Sequence, residues 1–416
     1  MTVVSGPRLD LILRDARLPD RAGTFDIGIA DGRIAALAPD LAGDGRVIDL
    51  GGRLVVSGLV ETHIHLDKTC ILDRCSIREG TVQEAIAEVA RAKRGFSAED
   101  VYARGRRTLE RCITQGTTHM RTHVEVDPGI GMLGFEAVQR LARDYAWAID
   151  VELCVFPQEG LINLPGTDAL LIEGLKRGAR TIGAVPYADS DPRRHIDRVF
   201  EIARDFDVDI DMHLDLAETA DGMQIEYVCE QTERFRYGGR VAVGHATQLS
   251  VLSRARFEAI ARRLAQVGVA VTVLPATDLF LMGRRQEHSI LRGVTPAHRL
   301  VELGVNCSLS TNNVMNPFTP YGDGSLIRMA NLYANVCHVC TPEGLATCLD
   351  MVTGRSARLM RLDGHAVAVG NDADLTVLDA PDAATAVAEL APPLYGFKRG
   401  RPTFTRRPAE LHRPGN

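Results

Sequence analysis

The stretch Leu54-Val55-Val56-Ser57-Gly58-Leu59-Val60-Glu61-Thr62-His63-Ile64-His65-Leu66-Asp67-Lys68 decides how this chain is read. A Gly-punctuated apolar run carries two imidazoles, one residue apart, to the end of a predicted strand. Residues i and i+2 of a strand point to the same side, so both rings can reach one cation from a rigid element. A lone histidine is ordinarily a satisfied core or surface residue. A His-x-His at a strand end, early in a long α/β chain, points instead to metal, because neutral imidazole is the commonest ligand type.

Further along, short apolar runs recur, each followed by polar residues and then a helical pattern. They are Leu54–Thr62, Thr117–Val126, Asp150–Phe156, Thr181–Pro186, Val208–His213, Arg240–His245, Val269–Leu274 and Val305–Ser310. Helical periodicity fills Val82–Arg94, Ala98–Gln115, Gly134–Tyr145 and Arg254–Gln266. Strands alternating with helices predict a parallel sheet, and eight is the number that closes a (β/α)8 TIM-like barrel. A doubly wound open sheet would need a phosphate-binding glycine loop after an early strand, and none is present. Outside this region, residues 8–55 and 370–405 are short strands joined by Asp-Gly, Gly-Gly and Gly-Arg turns. The expected organisation is therefore a small β-sandwich formed by residues 1–55 and 366–416 beside a barrel domain spanning 56–365, with a frayed tail near Glu410–Asn416.

Composition narrows the function classes. The net charge is −6, with acidic and basic residues mixed along the 416 residues and no basic stripe alternating with aromatics, which argues against nucleic acid. No run of about 18 apolar residues occurs, and charges interrupt the first apolar stretch, so a soluble, cytoplasmic protein with no membrane partner is expected. The nine cysteines, odd in number and scattered through apolar segments, read as reduced core thiols. Cys337-His338-Val339-Cys340 and His123-Val124-Glu125 imitate the two halves of a base-deaminase zinc signature. The residue before Cys337 is Val336 in place of the required proline, and 325–340 reads as a buried helix, so this pattern is set aside.

Polar residues gather where the predicted strands end, the face on which barrel active sites are built. His63 and His65 end the first strand, His123 and Glu125 the second; Gln158 and Glu159 follow the third. His213 and Asp215 end the fifth, His245 the sixth, Asn312 and Asn313 the eighth. With these residues in view the chain resembles the amidohydrolase superfamily, in its cytosine deaminase-like branch, and also the triazine-ring aminohydrolases of that branch. The similar segments are His63–Asp67, Arg121–Val126, Val155–Gly160, Gly183–Pro186, Arg292–Thr295 and Asn316–Gly322, so the resemblance covers nearly the whole chain. It implies that His63, His65 and His213, with Asn312 at the fourth position, hold one divalent ion (Zn, Fe or Mn). It also implies that His245 orients a water at that ion, that Gln158 and Asn313 meet a heterocyclic amide edge, and that Lys68 acts beside the metal.

The chemistry accounts for these residue types. A divalent ion lowers the pKa of water to near neutrality and polarises the target C–N carbon, while a carboxylate and a second group move protons. Here the chain departs from the pattern. The Glu expected three residues after His213 is Leu216, and the strand-end Asp is Asn312, whose amide cannot act as a base. Asp215, Glu218 and Lys68 are the titratable substitutes nearby, each equally readable as a loop ion pair. His119 is read as barrel packing, and Asp278, Arg284 and Arg285 as loop charges that could also frame a pocket. The expected function is a metal-dependent aminohydrolase or deaminase of a small nitrogen heterocycle, in a homo-oligomer. The alternatives are a divergent barrel enzyme with lyase or isomerase chemistry, and a non-catalytic ligand-binding homologue.

Overall fold

The computed structural model describes residues 8–412. Its strands are β1 (Leu11–Leu18), β2 (Arg21–Ala30), β3 (Arg33–Ala38), β4 (Arg46–Ser57), β5 (Leu59–Ile64), β6 (Thr117–Glu125), β7 (Asp150–Phe156), β8 (Thr181–Ala184), β9 (Asp209–Leu214), β10 (Val241–His245), β11 (Val269–Val273), β12 (Cys307–Leu309), β13 (Leu375–Leu378), β14 (Pro393–Lys398) and β15 (Arg401–Thr405). Strands β5 to β12 pair in chain order, all parallel, with helices in the connections, which is the predicted barrel. Both ends of the chain meet in a separate seven-stranded sheet, ordered β15-β14-β13-β4-β1-β2-β3, over its own apolar core of Leu13, Ile27, Ile29, Val55, Leu375 and Phe397.

One predicted strand divides in two. Leu54–Ser57 closes β4 and pairs with β13, whereas Leu59 opens β5 and pairs with β6. The break falls at Gly58, where a Cβ would lie 2.1 Å from Thr118 Oγ1. The apolar run continues through the break because both halves are buried, so hydrophobicity alone did not mark it.

The barrel closes between its first and last strands through a small set of polar contacts. Thr62 N donates to Ser310 Oγ at 3.1 Å, and Thr62 Oγ1 lies 2.9 Å from Ser308 Oγ and 2.6 Å from Ser310 Oγ. One turn further, Asn312 N donates to His63 O at 2.8 Å and His65 N donates to Asn312 O at 3.0 Å. The seam is thus stitched at the His-x-His segment itself. Around it the helices Val82–Ala92, Ala98–Thr114, Leu133–Asp144 and Arg254–Val267 lie within a residue or two of their predicted spans. Thr81, Ser97 and Ser253 cap three of them by accepting from the third residue of the following turn. Leu326–Cys337 is the expected helix, all nine cysteines are free, and among the described residues no helix is long and apolar enough to cross a membrane.

The seam yields a stability prediction. Thr62→Val keeps the shape of the side chain but removes one hydrogen bond from Ser308 Oγ, which keeps Thr272 Oγ1 at 2.9 Å, and one from Ser310 Oγ, which keeps the N–H of residue 62; the two lost bonds should together cost about 1–3 kcal/mol, read as a lower midpoint in thermal unfolding. Thr62→Ser should recover most of the loss. A valine variant as stable as the parent would show that the hydroxyl triad does not hold the seam.

Candidate active site

The C-terminal ends of the barrel strands bring His63, His65, His123, His213 and His245 together, all buried. His63 Nε2 lies 3.1 Å and His65 Nε2 3.2 Å from His213 Nε2. Nitrogens bound to one divalent ion at 2.0–2.1 Å lie about 3–3.4 Å apart, so the spacing fits a shared cation. Tautomers agree with this. His65 Nδ1 donates to the His123 carbonyl at 3.2 Å, which leaves its Nε2 lone pair free. Burial lowers His63 to about 3 and holds His65 and His213 well below the usual imidazole range, so the rings are neutral, the ligating form.

Several buried polar atoms in this cluster have no hydrogen-bond partner: His63 Nδ1, both nitrogens of His123, His213 Nδ1, Asp211 Oδ1 and Asn312 Oδ1. Leaving such groups unpaired is costly, and a bound cation with its water would satisfy part of the set. Asn312 is held by its backbone between His63 and His65, in the left-handed region at φ 62°, where Asn is tolerated better than most residues. His123 stacks on His63 with ring centroids 3.8 Å apart. Behind the rings, Asp211 lies 3.9 Å from His63 Nδ1 and 3.6 Å from His123 Nε2, and accepts from Arg121 Nη1 at 2.9 Å. His123 and Arg121 hold this carboxyl well below its ordinary range against the opposing effect of burial.

His245 donates from Nδ1 to Asp278 Oδ1 at 2.6 Å, which leaves its Nε2 free. Asp278 also accepts from Leu274 N, and burial raises its pKa. This carboxylate, read from sequence as a loop charge, is therefore the fixed partner of His245. Arg284 and Arg285, read with it, line a 290 Å³ concavity at the mouth with Leu216, Glu218 and Met282. A larger 480 Å³ concavity lies at the opposite ends of the strands and touches none of the five histidines.

Lys68 is buried with its Nζ 2.5 Å from Gln158 Oε1 and 5.0 Å from the ring centres of both Phe156 and Phe318. Phe156 in turn stacks on His213, so lysine and histidines share one wall. Glu125 Oε2 stands 4.0 Å from Lys68 Nζ, while its Oε1 accepts from Lys93 at 2.7 Å. Lys93 also bonds Asp127 at 2.6 Å and Glu159. Burial lifts Glu125 to about 7. Neither Lys93 nor the pairing of Glu125 was legible in the chain, because residues 93, 125 and 159 meet only through the fold.

The other titratable substitutes are engaged elsewhere. Asp215 accepts from Gln224 N at 2.8 Å and Ile225 N at 3.1 Å, capping the helix Ile225–Phe235, and burial raises it to about 6. Glu218 accepts from Gly283 N at 2.9 Å, joining two loops at the mouth. Leu216 packs in an apolar cluster with Ile71, Leu281 and Phe318. His119 sits at the other end of the barrel, 3.3 Å from Lys398 Nζ and 3.4 Å from Asp150 Oδ2.

The chain is similar to known proteins along most of its length. The chain is 26% identical over 402 residues to N-isopropylammelide isopropyl amidohydrolase of Pseudomonas sp. (strain ADP), covering 94% of this chain and 96% of that one. It is 26% identical over 363 residues to pterin deaminase of Rhizobium rhizogenes, covering 85% and 82% respectively. The structure of 5-methylcytosine deaminase from Klebsiella pneumoniae liganded with 5-fluorocytosine superposes with a TM-score of 0.93 at 27% identity, over 97% of this chain and all of that one. Residues 46–144 and 134–404 match the family model described as "Amidohydrolase family", and the chain belongs to that family.

Proposed function

We propose that this protein is a metal-dependent aminohydrolase of a small nitrogen heterocycle, with one divalent ion held by His63, His65 and His213 and completed by the Asn312 amide oxygen. The observation that carries the reading is the convergence of three neutral Nε2 atoms beside a His–Asp pair whose outward nitrogen is free. The similarity to hydrolases and deaminases named for triazine, pterin and cytosine substrates supports the substrate class. A divalent ion bound there supplies a water acidified to near neutrality and a polarised C–N carbon.

The chain's own groups do the rest. His245 Nε2 accepts the proton of the attacking water, and Asp278, fixed on Nδ1, stabilises the imidazolium that forms. The same nitrogen returns the proton to the departing amine. Gln158, Asn313 and Lys68 orient the ring, and Phe156 and Phe318 exclude water around the lysine. Asp215 and Glu218 act in the scaffold, since each spends its carboxylate on backbone N–H groups. A second reading, ligand binding without turnover, is favoured by one observation: the positions where the family pattern carries carboxylates are Leu216 and Asn312 in this chain.

Elemental analysis of protein purified with zinc or manganese present should find about one divalent ion per chain, and His63→Ala or His213→Ala should strip it. Wild-type protein without metal under those conditions would overturn the proposal.

A panel of amino-substituted pyrimidines, pterins and triazines, assayed for released ammonia or amine, separates the two functional readings. On whichever member is hydrolysed, His245→Gln and Asp278→Asn should each lower kcat about 10²–10⁴-fold while metal content stays near the parent's. Unchanged kcat in both variants would remove the His–Asp pair from the chemistry, and binding without release across the panel would favour the second reading.

A further inference from the structure

The mouth of the barrel holds two cations that the proposed chemistry leaves unused. Arg284 and Arg285 line the 290 Å³ concavity there, and among the described residues neither pairs with a carboxylate. Other exposed arginines of the neighbouring segments are engaged: Arg74 holds Asp100 and Arg91 holds Glu88. Glu218, the one carboxylate lining the same concavity, accepts from Gly283 N at 2.9 Å. It thereby anchors the loop that carries the arginines and leaves the concavity with one positive charge in excess.

Arg284 is held in place by contacts that leave its hydrogen-bonding edge unspent. Its Cζ lies 4.1 Å from the ring centre of Phe280, whose own ring meets Tyr321 edge-on at 5.9 Å. On another side the guanidinium packs against Gly80, in the left-handed region at φ 68°, where an added Cβ would come 3.0 Å from Cζ. Fixed by an aromatic face and by backbone, the planar fork keeps its N–H groups for an acceptor, and a carboxylate is the acceptor that matches two parallel N–H groups. Beneath the arginines the concavity is apolar, lined by Leu216, Leu281 and Met282.

Leu216 ties this concavity to the histidine cluster. It stands three residues after His213, a chain span of at most about 11 Å, and packs with Phe318, whose ring centre is 5.0 Å from Lys68 Nζ. A glutamate at 216, as in the family pattern, would compete for the two guanidinium groups; leucine leaves them unpaired. We infer that the concavity is a subsite for a carboxylate that the substrate carries on a short apolar linker, with the linker lying over Leu216 and Met282 and the carboxylate meeting Arg284 and Arg285. This deepens the proposed function and rests on it, because the ring must sit at the histidine cluster for its substituent to reach the mouth.

Calorimetric titration of the purified, metal-replete protein with two matched pairs tests this: 3-(cytosin-5-yl)propanoate against its propanamide, and N-(2-carboxyethyl)melamine against N-(2-carbamoylethyl)melamine. Each pair exchanges a carboxylate for a neutral amide of the same shape on the same ring. The carboxylate should bind more tightly by about 5- to 50-fold, between the worth of an exposed ion pair and that of a hydrogen bond to a charged group, and the advantage should shrink at high salt. It is read as Kd, or as KM for a member that is hydrolysed. Arg284→Met combined with Arg285→Met should abolish the advantage while metal content stays at the parent's, and the corresponding double lysine variant should keep part of it. Equal binding of acid and amide, or an advantage that survives in the double methionine variant, would overturn the subsite and leave the heterocycle reading intact. Binding of unsubstituted aminopyrimidines or triazines without binding of any substituted ring would do the same. Binding of no ring, substituted or not, would overturn both.

Discussion

The seam between β5 and β12 is the constraint on which the rest of the site depends. A parallel barrel must join its first and last strands, and here the joint is made by the backbone of His63, His65 and Asn312 and by the hydroxyls of Thr62, Ser308 and Ser310. Anchoring residue 312 to both neighbours of Ile64 fixes the pitch of the two imidazoles and the position of the Asn312 amide in one step. The histidine cluster is therefore as rigid as the barrel itself, which is what the proposed metal site, with its strict ligand spacing, needs. Left-handed backbone at Asn312 (φ 62°) and His245 (φ 70°) is held in place by the same architecture.

Electrostatics around the cage follow from burial. Five imidazoles packed against one another cannot all be charged, and desolvation with mutual repulsion keeps His63, His65 and His213 neutral. Two carboxylates sit behind them. Asp211 is compensated by Arg121, and Asp278 by the His245 N–H. Lys68 is isolated differently, by aromatic faces and one amide oxygen, while Lys93 absorbs the charge of Glu125, Asp127 and Glu159. A second ammonium, supplied from the segment after the helix Val82–Ala92, thus leaves the first without a hydrogen-bonded carboxylate.

The barrel was legible because its strands are short apolar runs with polar ends, and the histidines because strand-end spacing carries direction as well as identity. What escaped reading was pairing. Asp278 looked like a loop charge because nothing local ties residue 278 to His245. Lys93 lies in a helical pattern whose polar positions ordinarily face water, yet it is buried against three carboxylates from other segments. Asp215 illustrates the converse. Its place two residues after His213 suggested chemistry, but both its oxygens accept backbone N–H groups at the start of the next helix. Gly58 hid the change of sheet because the residues on either side are buried alike.

The two departures from the family pattern also differ physically. Asn312 is isosteric with aspartate and lies in a backbone setting that accepts either residue, so the exchange removes a charge and a base while leaving the seam undisturbed. Leu216 is more deeply committed. It packs with Ile71, Leu281, Met282 and Phe318 on one side and lines the mouth concavity with Arg284 and Arg285 on the other, so a carboxylate at 216 would give up apolar contact at a half-buried position. The apolar side chain at 216 is therefore part of how the mouth of the barrel is packed. Asn312 keeps an unpaired polar oxygen where the family pattern has a carboxylate, whereas Leu216 offers apolar surface, so under the proposed function proton transfer falls to the His245–Asp278 side of the histidine cluster.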